Sequence, residues 1–229
     1  MLILAIDTST STASISLLKN YEILSEVFIN LGVNHSIILL PALNDLCRLS
    51  HIEPSSIDLF VCTIGPGSFT GLRVGASTIK GLALSTGKPV VGVSTLDALA
   101  FNLIGSKMLI CPILDAKKNQ VYTALYRTGH NNMLVKAGKE RVTNINEFLP
   151  SIDEETIFVG DGALKYAGLI GDILPGRSYF ASTCNHHVRA AAVGLLGKKK
   201  YSEGDVLDLA TFTPMYLRLS EAEMKCLSK

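Results

Sequence analysis

Short, continuously apolar runs alternate along this chain with longer segments whose apolar residues return every three or four positions. Leu2-Ile3-Leu4-Ala5-Ile6 has the pattern of a strand buried on both faces of a sheet. It ends at Asp7, and Thr8-Ser9-Thr10-Ser11-Thr12 follows as a turn of small hydroxyl residues. Ala13, Ile15 and Leu17 then alternate with Ser14 and Ser16 as a half-buried strand does, Lys19-Asn20 turns, and Tyr21 to Ile29 predicts a third strand, so the chain begins with a meander. Asn34 to Leu49 predicts the first helix, with Asn34 at its N-cap and Pro41 set to kink it or mark its first turns. Its apolar residues (Ile37 through Leu40, Ala42, Leu43, Leu46, Cys47, Leu49) exceed one stripe, so this helix has to be covered on more than one side.

The apolar run Ile57 to Thr63 predicts a strand and leads into Ile64-Gly65-Pro66-Gly67-Ser68-Phe69-Thr70-Gly71-Leu72-Arg73-Val74-Gly75. From Leu72 onward Ala76, Ile79 and Ala83 share one helical face, predicting a helix to Ser85. Val90 to Val93 is the next strand, Ser94-Thr95-Leu96-Asp97 a cap, and Ala98 to Leu103 a helix. Strands followed by strand and helix in alternation argue for an α/β lobe with a mixed sheet. Gly105-Ser106-Lys107 marks the boundary between lobes spanning 1–104 and 105–209, with 210–222 placed to complete the first. The second lobe is predicted from strands at Met108 to Leu114, Gln120 to Tyr126 and Thr156 to Val159, and helices at Asn144 to Leu149, Ala163 to Ile170 and Asn185 to Lys199.

The glycines divide their work. Gly65 and Gly67 flank Pro66 in a tight strand-to-helix turn, whereas Gly71 and Gly75 lie four apart on the helix, where each is worse than alanine by about 1 kcal/mol. A helix that keeps both is expected to admit another backbone at close range. The loop is not a phosphate loop by spacing: a second glycine four residues on and a following Lys-Ser/Thr are missing, and the dinucleotide fingerprint misses its third glycine by one position. Asp7 at a strand tip, followed by hydroxyls, suits a hydrated magnesium ion near phosphates; equally, it suits an Asx or Ser/Thr turn that satisfies backbone N–H groups. Asp161, after the strand Thr156 to Val159, repeats that placement. His35 has Leu39 four residues on, so it has no helical partner for a metal.

Composition narrows the class. An apolar fraction of 48% and a charged fraction of 18% describe a folded chain, and a net charge of +1 with interspersed signs gives no polyanion-binding surface. The five cysteines are scattered and form no C-x-x-C, which excludes a disulfide framework or zinc knuckle. The first apolar run is too short for a signal segment, and nothing approaches the roughly 20 residues of a membrane span. A reducing, cytoplasmic setting is the expectation.

These residues resemble the TsaB family, formerly YeaZ. The likeness rests on Ala5-Ile6-Asp7-Thr8, the long glycine-rich motif, Lys80-Gly81-Leu82-Ala83, Val93-Ser94-Thr95-Leu96 and the terminal Pro214-Met215-Tyr216-Leu217-Arg218. Where the family commonly has Asp-Ala-Arg and Glu-Val-Tyr, this chain has Asp115-Ala116-Lys117 and Gln120-Val121-Tyr122. The resemblance implies a two-lobed actin-like, RNase H-like α/β fold with mixed sheets. It also implies a non-catalytic subunit for making threonylcarbamoyladenosine beside the anticodon of tRNA, with transfer done by the paralogous partner TsaD and an ATPase, TsaE, joining the pair. Ser9 stands where actin-like kinases place glycine, so Asp7, Thr8 and Ser9 are expected to form a degenerate nucleotide site; no cofactor is expected on the chain alone, with ATP and magnesium reserved for the assembled complex. The over-apolar first helix and the glycine pair of the second predict a partner interface of His35, Leu39, Leu43, Leu46, Gly71, Leu72, Arg73, Gly75 and Ile79, which drives a homodimer when the chain is alone. Gly75→Leu is then expected to abolish partner binding with the fold intact. Rival readings are an active Mg-ATP phosphotransferase using Asp7 and Asp161, and a peptidase, which lacks a G-x-S-x-G elbow at Ser68. Contact with tRNA is expected only through the complex, and contact with membranes not at all.

Overall fold

In the computed structural model, which describes residues 1–218, the meander forms as β1 (Leu2–Asp7), β2 (Ala13–Lys19) and β3 (Glu22–Ile29). The chain then runs through α1 (His35–Leu49), β4 (Leu59–Gly65), α2 (Phe69–Thr86), β5 (Val90–Ser94) and α3 (Thr95–Phe101). The five-stranded sheet has the order β3-β2-β1-β4-β5. β1, β4 and β5 are parallel, and β1-β2-β3 antiparallel. Parallel neighbours need a crossover, and α1 and α2 supply the two crossovers into β4 and β5. Leu4, Ile6, Phe60 and Cys62 point alternately to one face, where Leu39, Leu43 and Leu46 of α1 and Ile79 and Ala83 of α2 close over them.

The second set is β6 (Leu109–Asp115), β7 (Gln120–Thr123), β8 (Tyr126–Thr128), β9 (Leu134–Lys136), β10 (Arg141–Asn144), α4 (Ile145–Phe148), β11 (Thr156–Val159), α5 (Asp161–Lys165), α6 (Ala167–Ile173) and β12 (Ser178–Phe180). Its sheet runs β10-β7-β6-β11-β12, with β8 and β9 attached through β6. α7 (Ala190–Ser202) is the last helix among the described residues. It covers the other face of the first sheet, coming so close that side-chain carbons at Gly194 and Gly197 would strike Leu18 and Val61.

The chain divides into two compact units, Met1–Ala98 with Val188–Met215, and Leu99–His187 continued from Tyr216. This departs from a boundary near residue 105 that left α7 with the second lobe. The physical reason is the N-terminus of α7, which the first sheet caps: Ala190 N donates to Ser14 Oγ at 3.0 Å, Ala191 N to Glu26 Oε1 at 3.0 Å, and Arg189 pairs with the same glutamate. An Ala- and Leu-rich helix carries no mark of which sheet it will cover. Past α7 the chain straps the first unit, with Leu207 N on Val90 O (2.8 Å), Lys80 Nζ on Phe212 O (2.8 Å) and Met215 N on Ile64 O (2.7 Å). The far end of the 210–222 segment, and Cys226, lie outside the described residues.

Other boundaries moved for local reasons. α2 begins at Phe69 rather than Leu72 because Ser68 is its cap, its hydroxyl accepting from Gly71 N at 3.2 Å. The strand predicted over Gln120 to Tyr126 splits, since β7 pairs with β10 while β8 turns away to pair with β9. The helix predicted over Ala163 to Ile170 breaks at Tyr166 (φ −105°, ψ 18°) into α5 and α6. α7 starts at Ala190 rather than Asn185, residues Thr183–Asn185 forming a single 3-10 turn. No described helix is long and apolar enough to cross a membrane.

Candidate functional site

The β1–β2 turn is where chemistry was expected, and Asp7, Thr8 and Ser9 there are buried. Asp7 is fully buried. Its Oδ1 accepts from Ser9 Oγ at 2.5 Å, Thr63 Oγ1 at 2.7 Å and Ser9 N at 3.1 Å, while Oδ2 is buried with no protein partner among the described residues. Of the two readings open for this residue, the turn satisfies Oδ1. Burial pushes the Asp7 pKa above the usual carboxylate range, against the hydrogen bonds from Ser9 and Thr63. A carboxyl raised in this way favours folding while protonated, and that contribution is lost as pH rises through the raised folded value. Asp7→Asn keeps the acceptor and removes the titration. It should therefore gain thermal stability relative to the parent in EDTA at pH 8, and gain less near pH 4; a variant that loses stability equally at both pH values would contradict this.

The glycine-rich motif is spent on the same turn. Ser68 N donates to Ser9 O at 2.7 Å, and Thr8 Oγ1 to Gly71 O at 2.7 Å. A Cβ at Gly71 would lie 2.0 Å from Thr8 O, one at Gly67 2.1 Å from Ser9 O, and one at Gly75 2.5 Å from Thr8 Oγ1. The close backbone that the glycines called for is the chain's own, and the strap adds Met215 O, 2.5 Å from a Cβ at Gly65. Asp7, Thr8 and Ser9 are thus brought together and all three are buried. They offer no solvent-facing carboxylate oxygen to a phosphate-bound cation.

The residues expected at a partner interface fall mostly in the core. Leu39, Leu43, Leu46, Leu72 and Ile79 are buried in the first unit, and Gly71 and Gly75 are covered by Thr8. Only Arg73, exposed beside the Phe69 ring at 4.7 Å, and half-buried His35 keep contact with solvent. The correction is one of helical phase. Leu39, Leu43 and Leu46 recur at i, i+4 and i+7 and take the inner stripe, leaving Ile37 (63% exposed) and Leu40 (56%) outside. Leu31 (75%) and Val33 (39%), in the loop before α1, are exposed as well. The signal was present in the surplus of apolar residues on this helix; what was missing was which stripe the sheet would claim.

In the second unit Asp161 opens α5, its Oδ1 accepting from Asp115 N at 3.1 Å, and burial raises its pKa. Asp115 takes Lys165 Nζ at 2.8 Å and Lys117 Nζ at 3.2 Å, so Lys117 is spent on a local ion pair. His186 is buried, with Nε2 2.9 Å from Ala181 O and Nδ1 at Gly160, as a structural histidine is. No group of three His, Cys, Asp or Glu among the described residues is placed to hold a metal ion. Ser68 is the N-cap of α2, its hydroxyl accepting from Gly71 N.

Residues 22–226 match the family model described as TsaD: tRNA N6-adenosine threonylcarbamoyltransferase. A Bacillus subtilis protein titled "tRNA threonylcarbamoyladenosine biosynthesis protein TsaB" is 35% identical over 227 residues, 98% of this chain and 97% of the relative. The Escherichia coli protein of the same title is 32% identical over 168 residues, 71% of this chain and 72% of the relative. Among solved structures, YeaZ from Pseudomonas aeruginosa superposes with a TM-score of 0.81 at 26% identity, covering 94% of this chain and 99% of that one.

Proposed function

The chain belongs to the TsaB family of tRNA threonylcarbamoyladenosine biosynthesis proteins, and from that premise we propose that it is a non-catalytic subunit that docks on a TsaD-type threonylcarbamoyltransferase. One observation carries the proposal: the turn that would handle phosphate is folded inward on Gly67 and Gly71, while Leu31, Ile37 and Leu40 stand exposed on and before α1. A chain that closes its own phosphate cradle and leaves an apolar helix face uncovered is suited to binding a protein rather than turning over a nucleotide.

The same reading extends to the rest of the assembly. The exposed α1 face pairs two copies when the partner is absent; TsaE, ATP and magnesium engage the assembled complex rather than this chain alone. A net charge of +1 supplies little phosphate attraction, so tRNA is held through the partner, in the cytoplasm. Reconstitution tests the proposal, with nucleoside mass spectrometry of tRNA as the readout. Modification should require both this chain and the transferase. Modification by this chain without the transferase, or undiminished modification by the transferase and TsaE without this chain, would overturn it.

A further inference from the structure

Helix α1, which carries the exposed strip, has no ordinary anchor at its start. Asn34 occupies the N-cap position, yet its side chain makes no capping hydrogen bond. The next residue supplies a tie of a different kind. His35 Nε2 lies 2.8 Å from Thr10 O, and because a carbonyl oxygen only accepts, that nitrogen carries the proton. The imidazole also borders α2, since a Cβ at Gly71 would meet His35 Cδ2 at 3.3 Å. One ring therefore touches the β1–β2 turn and α2 from the first turn of α1. Its other nitrogen, Nδ1, is buried and has no protein partner among the described residues, and the same holds for Oδ2 of Asp7.

We infer that His35 is a positioning residue: it ties the entry of α1 to the β1–β2 turn, and so fixes the angle at which Leu31, Ile37 and Leu40 are presented to a partner. This inference rests on the docking reading for its consequence, while the tie itself stands apart from it. The mechanism is loss of freedom. An uncapped first turn frays, and Ile37 and Leu40, on and just after that turn, would have to be ordered at the moment of binding. Sequence position alone would have put His35 in the interface; its hydrogen bond turns the ring inward.

Two variants and three readouts test this on the full chain. His35→Phe keeps an aromatic ring and removes the donor, whereas His35→Gln keeps a donor able to reach Thr10 O. Amide hydrogen exchange at Ser36 to Leu39, measured without any partner, should quicken about tenfold in His35→Phe and return close to the parent rate in His35→Gln. Affinity for the TsaD-type transferase should fall about tenfold in the first and recover in the second. Nitrogen NMR of the parent should show Nε2 protonated and Nδ1 bare. Unchanged exchange in His35→Phe, or a proton on Nδ1 with none on Nε2, would overturn the tie. Quickened exchange with parent-like transferase affinity would overturn its role in docking. A parent chain that does not bind the transferase at all would sink the docking reading, and the exchange result would still decide the tie.

Discussion

Replacing Gly71 by valine is expected to cost about 3 kcal/mol of stability and to lower the thermal midpoint by roughly 6–12 °C. The new Cβ would sit 2.0 Å from Thr8 O, a backbone atom of a turn already held by Thr8 Oγ1 and by Ser68 N. Nothing at that contact is the free end of a flexible side chain, so either α2 shifts or the β1–β2 turn opens, and the latter breaks the bonds around Asp7. Gly81 on the same helix supplies the internal contrast. It is exposed, and a Cβ there meets nothing within 4 Å. Gly81→Ala should therefore gain about 0.5–1 kcal/mol from helix propensity. Urea titration of the two variants separates contact from propensity; equal effects would contradict the packing account. The same geometry revises the expectation for Gly75→Leu. With Thr8 Oγ1 2.5 Å from a Cβ at that position, a leucine would disturb the chain's own fold before it disturbed any partner.

The double substitution Ile37→Asp with Leu40→Asp should do the reverse, leaving stability within about 0.5 kcal/mol of the parent while abolishing association. Both side chains are more than half exposed, so folding gains little from them. A partner that buries what remains exposed gains about 1–2 kcal/mol from each, and carboxylates there would have to be desolvated without a counter-charge. The expected loss exceeds a hundredfold in affinity for the transferase. Sedimentation of the isolated chain should show the parent self-associating and the double variant monomeric. Parent-like association of a folded double variant would remove the strip from the account.

How far the sequence could be read differed between elements, and the differences have physical causes. β1, β4, β5 and β11 were legible because continuous apolar runs bounded by glycine, proline or polar turns have few alternatives. β9, β10 and β12 were not: three or four residues with mixed polarity, they exist only through pairing with β8, β7 and β11. The return of α7 to the first sheet depends on Ser14 and Glu26, which sit more than 160 positions away in sequence. At the candidate site the residue types were informative and their orientation was not. The glycines announced a close approach, and only the fold revealed that Thr8 and Ser9 make it. Leu39 and Leu40 are neighbours of equal hydrophobicity, and the 100° between them on the helix places one in the core and the other in solvent.

Calorimetry on the isolated, full-length chain tests most directly whether it acts by docking. Titrated with the purified transferase, it should give saturable heat at one site. Titrated with Mg-ATP alone, it should give neither binding heat nor phosphate release. Steady ATP turnover by the chain alone, together with no heat on adding the transferase, would contradict the account.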